Sequence, residues 1–163
     1  MFAKFARRSV AVLSLMAGLA TVAGAQATQT VNFEVKPINQ FSITSTAVTL
    51  TITTATAGSE PAPVSDATSR WAVTTNQTGA KMSASIALAM PTGVTLSVLL
   101  AQPAGASSTT TDLSDGTSHD IVTGITKIAA PNLTVTYTLA ATAAAGVITA
   151  DSRVVTYTMT PGT

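Results

Sequence analysis

The stretch Leu133-Thr-Val-Thr-Tyr-Thr-Leu139 alternates apolar side chains with threonine at every position. Successive side chains of a β-strand point to opposite faces, so this pattern predicts a strand with one apolar and one polar face. A near copy, Val155-Thr-Tyr-Thr-Met159, follows 20 residues after Val135. We interpret the two segments as the last two long strands, lying close together in the final sheet. The alternative is an internal repeat, but repeat folds use three or more copies and only two occur.

The same alternation recurs along the chain, and clusters of Gly, Pro, Asn and Ser separate the segments as turns do. The pattern predicts an all-β fold, a single antiparallel sandwich of about seven to nine strands. The predicted strands are Val31–Val35, Phe41–Ile43, Val48–Ile52, Trp71–Thr75, Met82–Leu88, Val94–Leu100, Leu133–Leu139 and Val155–Met159, with shorter candidates at Asp120–Ile125 and Gly146–Thr149. Their apolar parity predicts one core containing Trp71, Val73, Met82, Ile86, Leu96, Val98, Val135, Tyr137, Val155 and Tyr157.

The first 27 residues have the order of a secretory signal. A basic segment precedes the apolar run Val10–Ala20, and Ala25-Gln-Ala27 provides a small-x-small cleavage site. The run is too short to span a membrane. We therefore expect a helical signal peptide over residues 1–27, one domain over residues 28–163, and a protein that is secreted or held at the cell surface.

The composition of residues 28–163 excludes several function classes. Five basic residues stand against seven acidic ones, a net charge of −2, so no basic patch suits nucleic acid or an anionic membrane. Cysteine is absent, which excludes thiol catalysis and Cys-type metal sites. No second apolar run reaches the length of a transmembrane segment. Thirty of these 136 residues are Thr, a composition that suits a chain packing against copies of itself.

No constellation of side chains predicts catalysis. The acidic cluster Asp112–Asp120 lacks the spacing of a calcium-binding loop, and we expect it to be a solvated loop. His119 is the only histidine, and no nucleophile elbow accompanies it. The two glutamates, Glu34 and Glu60, do not form a recognisable acid–base pair. Trp71, Tyr137 and Tyr157 could form a sugar platform, but their parity favours the core. We expect no enzyme activity, no cofactor and no metal.

Segments across residues 28–163 resemble a group of small exported bacterial proteins, most of them without a known function. The resemblance is carried by Val31-Asn-Phe-Glu-Val35, Thr74-Thr-Asn76, the Met90-Pro91 turn and the two terminal strands. It implies an immunoglobulin-like sandwich. The chain is also similar to subunits of bacterial surface fibres, which are small, Thr-rich and donate an N-terminal strand to a neighbour. It departs from the common chaperone–usher pilins in having no cysteine pair, and the resemblance implies no active-site or metal-binding residues.

Two functions follow as hypotheses. The first is a structural subunit of the cell surface or extracellular matrix that assembles with itself, or with another surface protein, by strand addition. Its assembly strand would carry Val31, Phe33 and Val35 on one face, and Lys36-Pro37 would end that strand. The second is a monomeric binding module that recognises carbohydrate or protein through its loops. An open apolar groove would favour the fibre, and a complete set of internal strands would favour the monomer.

Overall fold

The structure is a computed structural model that describes residues 26–44 and 47–163. The predicted signal peptide, up to residue 25, lies outside the described residues. The chain divides into two units, residues 1–34 and residues 35–163, and every described strand lies in the second unit. The strands are β1 (Asn39–Ile43), β2 (Val64–Asp66), β3 (Arg70–Thr75), β4 (Ala80–Ile86), β5 (Val94–Leu100), β6 (Ser107–Ser108), β7 (Thr111–Asp112), β8 (His119–Ile125), β9 (Ile128–Ala141) and β10 (Val155–Thr160).

The strands form two antiparallel sheets with a shared core, which confirms the all-β, sandwich-like prediction. One sheet has six strands in the order β1-β3-β9-β5-β7, and β2 also pairs with β9. The other sheet has four strands in the order β10-β4-β8-β6. The part of the chain that the structure describes contains no α-helix, and its one helical turn is the 3-10 helix Ala143–Ala145.

The long strand β9 organises the larger sheet. Along one edge it pairs first with β3 and then with β2, so β2 and β3 act as one interrupted strand. Its other edge pairs with the full length of β5, from Val94 opposite Ala141 to Leu100 opposite Val135. Pairing with β3 slips at Pro131 and Asn132, since Pro131 has no N–H to donate and Asn132 has a positive φ of 58°. This bulge lets the strand continue past a proline.

The predicted core is largely confirmed. Seven of its ten residues are buried, and the remaining three, Tyr137, Val155 and Tyr157, are partly buried and pack against them. In β4 every second side chain from Ala80 to Ile86 is buried, as the period-two pattern requires. Trp71 is 1% exposed and donates its indole N–H to the carbonyl oxygen of Ala101 at 3.1 Å, so its polar atom is satisfied within the core.

Besides the segment Val31–Val35, which is described below, three expectations about strands were wrong. The twin segments do not share a sheet, because β9 belongs to the larger sheet and β10 to the smaller one. They meet instead between the sheets, where the hydroxyls of Tyr137 and Tyr157 are 2.6 Å apart. The segment Gly146–Thr149 is not a strand, since Gly146 ends the 3-10 helix at a positive φ of 68°. The segment Val48–Ile52 forms no strand either, although its side-chain alternation is present.

Candidate functional site

The predicted assembly strand is exposed and forms no strand. Residues 26–38 belong to no strand, and the exposed fractions of Val31, Phe33 and Val35 are 74%, 91% and 76%. The expectation that Val31–Val35 is a strand is therefore wrong for this structure. An alternating segment becomes a strand only when a second strand satisfies its backbone groups. The described conformation leaves three large apolar side chains in water, which is the least favourable place for them.

The segment of residues 47–53 has the side-chain pattern of a strand without its backbone pairing. Val48, Leu50 and Ile52 are half-buried, whereas the intervening threonines are exposed, and Leu50 packs against the core. No described residue forms a backbone hydrogen bond with residues 47–53, although Thr54 accepts one from Ala62. The segment therefore alternates half-buried apolar side chains with exposed threonines, and its backbone has no partner strand among the described residues.

The strand β10 ends the smaller sheet and has one free edge. Among the described residues it pairs only with β4, from Val155 opposite Ile86 to Thr160 opposite Lys81. Its side chains Val155, Tyr157 and Met159 pack against the core. Its second row of N–H and C=O groups therefore has no partner strand in the described residues, which is the property that makes an edge strand a template for another chain.

Three segments have the same spacing of apolar side chains: the expected assembly strand Val31–Val35, which we call the donor segment, residues 47–53, and β10. Each carries three large apolar side chains at alternate positions: Val31, Phe33 and Val35, then Val48, Leu50 and Ile52, then Val155, Tyr157 and Met159. When one strand pairs with another, the apolar side chains of both must repeat every second residue and lie on the same face of the sheet. Sequence analysis proposed Val31–Val35 as an assembly strand but assigned it no partner segment in this chain. Residues 47–53 and β10 both alternate apolar and polar residues in sequence. That alternation does not distinguish a paired strand from an unpaired one.

The acidic cluster Asp112–Asp120 has local structural roles. The carboxylate of Asp112 accepts from the N–H of Ser114 at 2.8 Å, and Asp120 forms an ion pair with Lys81 at 2.8 Å. Asp115 accepts from the N–H of Thr117 at 2.8 Å. The hydrogen bond from His119 and the bonds from Thr117 lower the pKa of Asp115 to about 2. These carboxylates are engaged separately, and within residues 26–44 and 47–163 no three acidic or histidine side chains converge on a metal site.

The remaining candidate residues also have structural contacts. The carboxylate of Glu60 accepts from the N–H of Ala143 and so caps the 3-10 helix. Tyr137 and Tyr157 are bonded to each other between the sheets, and burial raises the pKa of both phenols. Glu34 is exposed. Trp71, Tyr137 and Tyr157 therefore belong to the core and do not form a surface platform.

A shallow depression of about 280 Å³ lies beside β1 and β3, between Thr44, Arg70 and Asn132. The Arg70 guanidinium there already donates to the carbonyl oxygens of Ala67 and Ser69. The positive charge of Arg70 in this depression is therefore already used in contacts within the protein. In the described part of the chain no helix has the length and apolarity to cross a membrane. Comparison with protein-family models, with curated proteins and with solved structures gives no match to this chain.

Proposed function

We propose that the protein is an exported structural subunit, with an immunoglobulin-like sandwich, that assembles with copies of itself by strand addition. The observation that carries the proposal is the exposure of Val31, Phe33 and Val35 at alternate positions of a segment that has no strand partner among the described residues. The donor segment of one copy would pair with the free edge of β10 in the next.

The energetic argument favours Phe33 as the anchor. Full burial of a Phe side chain stabilises by about 1.5–3 kcal/mol, and 91% of Phe33 is available for burial. Each 1.4 kcal/mol corresponds to about a tenfold change in affinity. Burial of Phe33 alone would therefore strengthen assembly by about 10- to 100-fold, and the added backbone hydrogen bonds would fix its register.

The test is a pair of variants with the same charge on opposite faces of the donor segment. Phe33→Asp places the charge on the apolar face, and Asn32→Asp places it on the polar face. In protein beginning at Thr28, we expect Phe33→Asp to abolish polymer in size-exclusion chromatography and negative-stain microscopy, and Asn32→Asp to retain it. Because Phe33 is exposed, the unfolding free energy of the Phe33→Asp monomer should stay within about 0.5 kcal/mol of wild type.

Two results would contradict the proposal. A wild-type protein that stays monomeric at high concentration, and keeps the same oligomeric state after deletion of residues 28–35, would exclude the fibre subunit. The second hypothesis, a monomeric binding module of secreted or surface location, would then be the better account. A polymer that forms equally well with Phe33→Asp would show that assembly uses another surface.

A further inference from the structure

The second unit has two distinct poles, at opposite ends of β4 and β10. The turn of residues 76–79 precedes β4, whereas Leu88 follows it; seven residues of strand separate these ends by about 20 Å. β10 runs in the opposite direction, so Val154 lies at the Leu88 end. The guanidinium of Arg153 confirms this placement, because it donates to the carbonyl oxygen of Ala89 at 3.2 Å.

The first pole is basic, and we call it the lysine pole: residues 36–38, 76–79 and 126–127. Asn76 donates to the carbonyl oxygen of Lys36 at 2.8 Å, and the N–H of Lys127 donates to Gln77 at 2.9 Å. Both lysines are exposed, and these three segments contain no acidic residue. Ile38 is 41% exposed and adds an apolar contact surface beside the lysines.

The second pole is apolar and acidic, and we call it the apolar pole: residues 87–93, 114–116, 142–148 and 151–154. Backbone hydrogen bonds of 2.8 Å join Thr142 to Gly93 and Met90 to Ser114. Glu60 lies at this pole through its bond to Ala143, and Asp115 and Asp151 are two further exposed carboxylates. Asp151 forms an ion pair with Arg153 at 2.6 Å, so the pole has three carboxylates, one of which is already paired. The large exposed apolar side chains of this pole are Leu88, Val147, Ile148 and Val154, with exposed fractions of 68%, 101%, 42% and 70%.

The exposed large apolar side chains of the described residues therefore fall in two groups. One group occurs between Val31 and Phe41, and the other occurs at the apolar pole. A head-to-tail assembly needs two different surfaces that complement each other, and a contiguous apolar surface with a charged rim is typical of an interaction site. Lysines at one pole and carboxylates at the other provide that complementarity in charge.

We propose that, in the fibre, the apolar pole of one copy docks on the lysine pole of the next copy. This inference rests on the proposed strand addition. The donor segment ends at Val35, immediately before Lys36, so the neighbour that receives this segment is also the one that faces the lysine pole. Since β10 begins beside the apolar pole, the donor would enter the neighbour at that end, with Val35 nearest Val155 and Val31 nearest Met159. The donor strand therefore runs antiparallel to β10.

Charge reversal tests the contact. One variant reverses the lysine pole with Lys36→Glu and Lys127→Glu, a second reverses two carboxylates of the apolar pole with Glu60→Lys and Asp115→Lys, and a third chain carries all four changes. The critical concentration for polymer is measured by sedimentation at about 0.01 M salt, where charges interact over about 30 Å. We expect each single-pole reversal to raise the critical concentration about tenfold, and the four-fold variant to return to within about threefold of wild type.

A matched control is Asp66→Lys, which has the same charge change and loses the same kind of bond to a backbone N–H, here that of Thr68. Asp66 pairs with Tyr137, in the interior of β9 and outside the residues of both poles, so this variant should polymerise as wild type does. A separate variant, Leu88→Ser with Val147→Ser, should weaken assembly about tenfold at both low and high salt, because it removes apolar contact.

The outcomes separate this inference from the proposed function. A wild-type polymer that is lost with Phe33→Asp but is unaffected by reversal of either pole would leave strand addition standing and overturn the end-to-end contact. Additive weakening in the four-fold variant would also overturn it. A wild-type protein that forms no polymer would overturn both. Restoration by the four-fold variant is the result that supports the contact between poles.

Discussion

The hydroxyl pair of Tyr137 and Tyr157 predicts a measurable coupling between the two sheets. Their oxygens are 2.6 Å apart, and the two tyrosines come from strands in different sheets. Replacing either one by Phe keeps the ring and its packing but leaves the other hydroxyl without its partner in a half-buried site. That loss should cost about 1–2 kcal/mol of unfolding free energy. Replacing both should cost less than the sum, since no hydroxyl then remains unpaired, and the coupling energy should be about 1 kcal/mol.

The measurement is a double-mutant cycle by urea unfolding. Trp71 is the only tryptophan and is 1% exposed, so its fluorescence reports the core directly. If the two single costs simply add, within about 0.3–0.5 kcal/mol, then the bond does not stabilise the fold and the argument fails. pH provides a second readout, because burial raises the pKa of both phenols above the value of about 10 in the unfolded chain. Above about pH 10 the unfolded state loses protons that the folded state retains, so stability should fall there, and less so in the double variant.

Two further changes test the core and the chain end. Leu100 is fully buried, so Leu100→Ala should lower the unfolding free energy by about 2–5 kcal/mol in urea titrations; a loss below about 1 kcal/mol would show that the core is loosely packed. A Cβ atom on Gly162 would lie 2.0 Å from the carbonyl oxygen of Thr78, so Gly162→Ala should break the paired hydrogen bonds between Thr78 and Thr163 and cost about 1–3 kcal/mol. Faster amide exchange at Thr78 would confirm that break, and unchanged exchange would contradict it.

The sequence predicted which side chains face the core because alternate residues of a strand lie on the same face, and the apolar face is the buried one. Trp71, Met82 and Val98 are buried as their parity requires. The sequence could not predict which strands share a sheet, because β9 and β10 have the same local pattern in either arrangement. The alternation of apolar and polar residues also does not show whether the backbone of a segment is paired with another strand. The segment of residues 47–53 therefore looks the same in sequence as β4, although its backbone has no described partner.

Proline and short length account for the strands that were not predicted. β2 is only three residues long and directly follows Pro63, so its residues resembled part of a loop. The first part of β9 contains Pro131, which usually argues against a strand interior. The bulge at Asn132 allows the strand to continue past the proline, because Asn132 takes a positive φ that a short polar side chain tolerates. The sequence suggested Val31–Val35 as an assembly strand, whereas the free edge of β10 became visible only in the structure.

The edges of the two sheets give a further argument for directed assembly. At one side the sheets end in β7 and β6, which are two residues long and offer little backbone to another chain. The opposite ends are β1 and β10, with five and six residues, and β10 has every second side chain directed at the core. A protein selected to stay monomeric would protect both sides, because long unprotected edges promote uncontrolled pairing. Protection of one side alone leaves β1 and β10 as the edges at which another strand can add, and the proposed assembly uses β10.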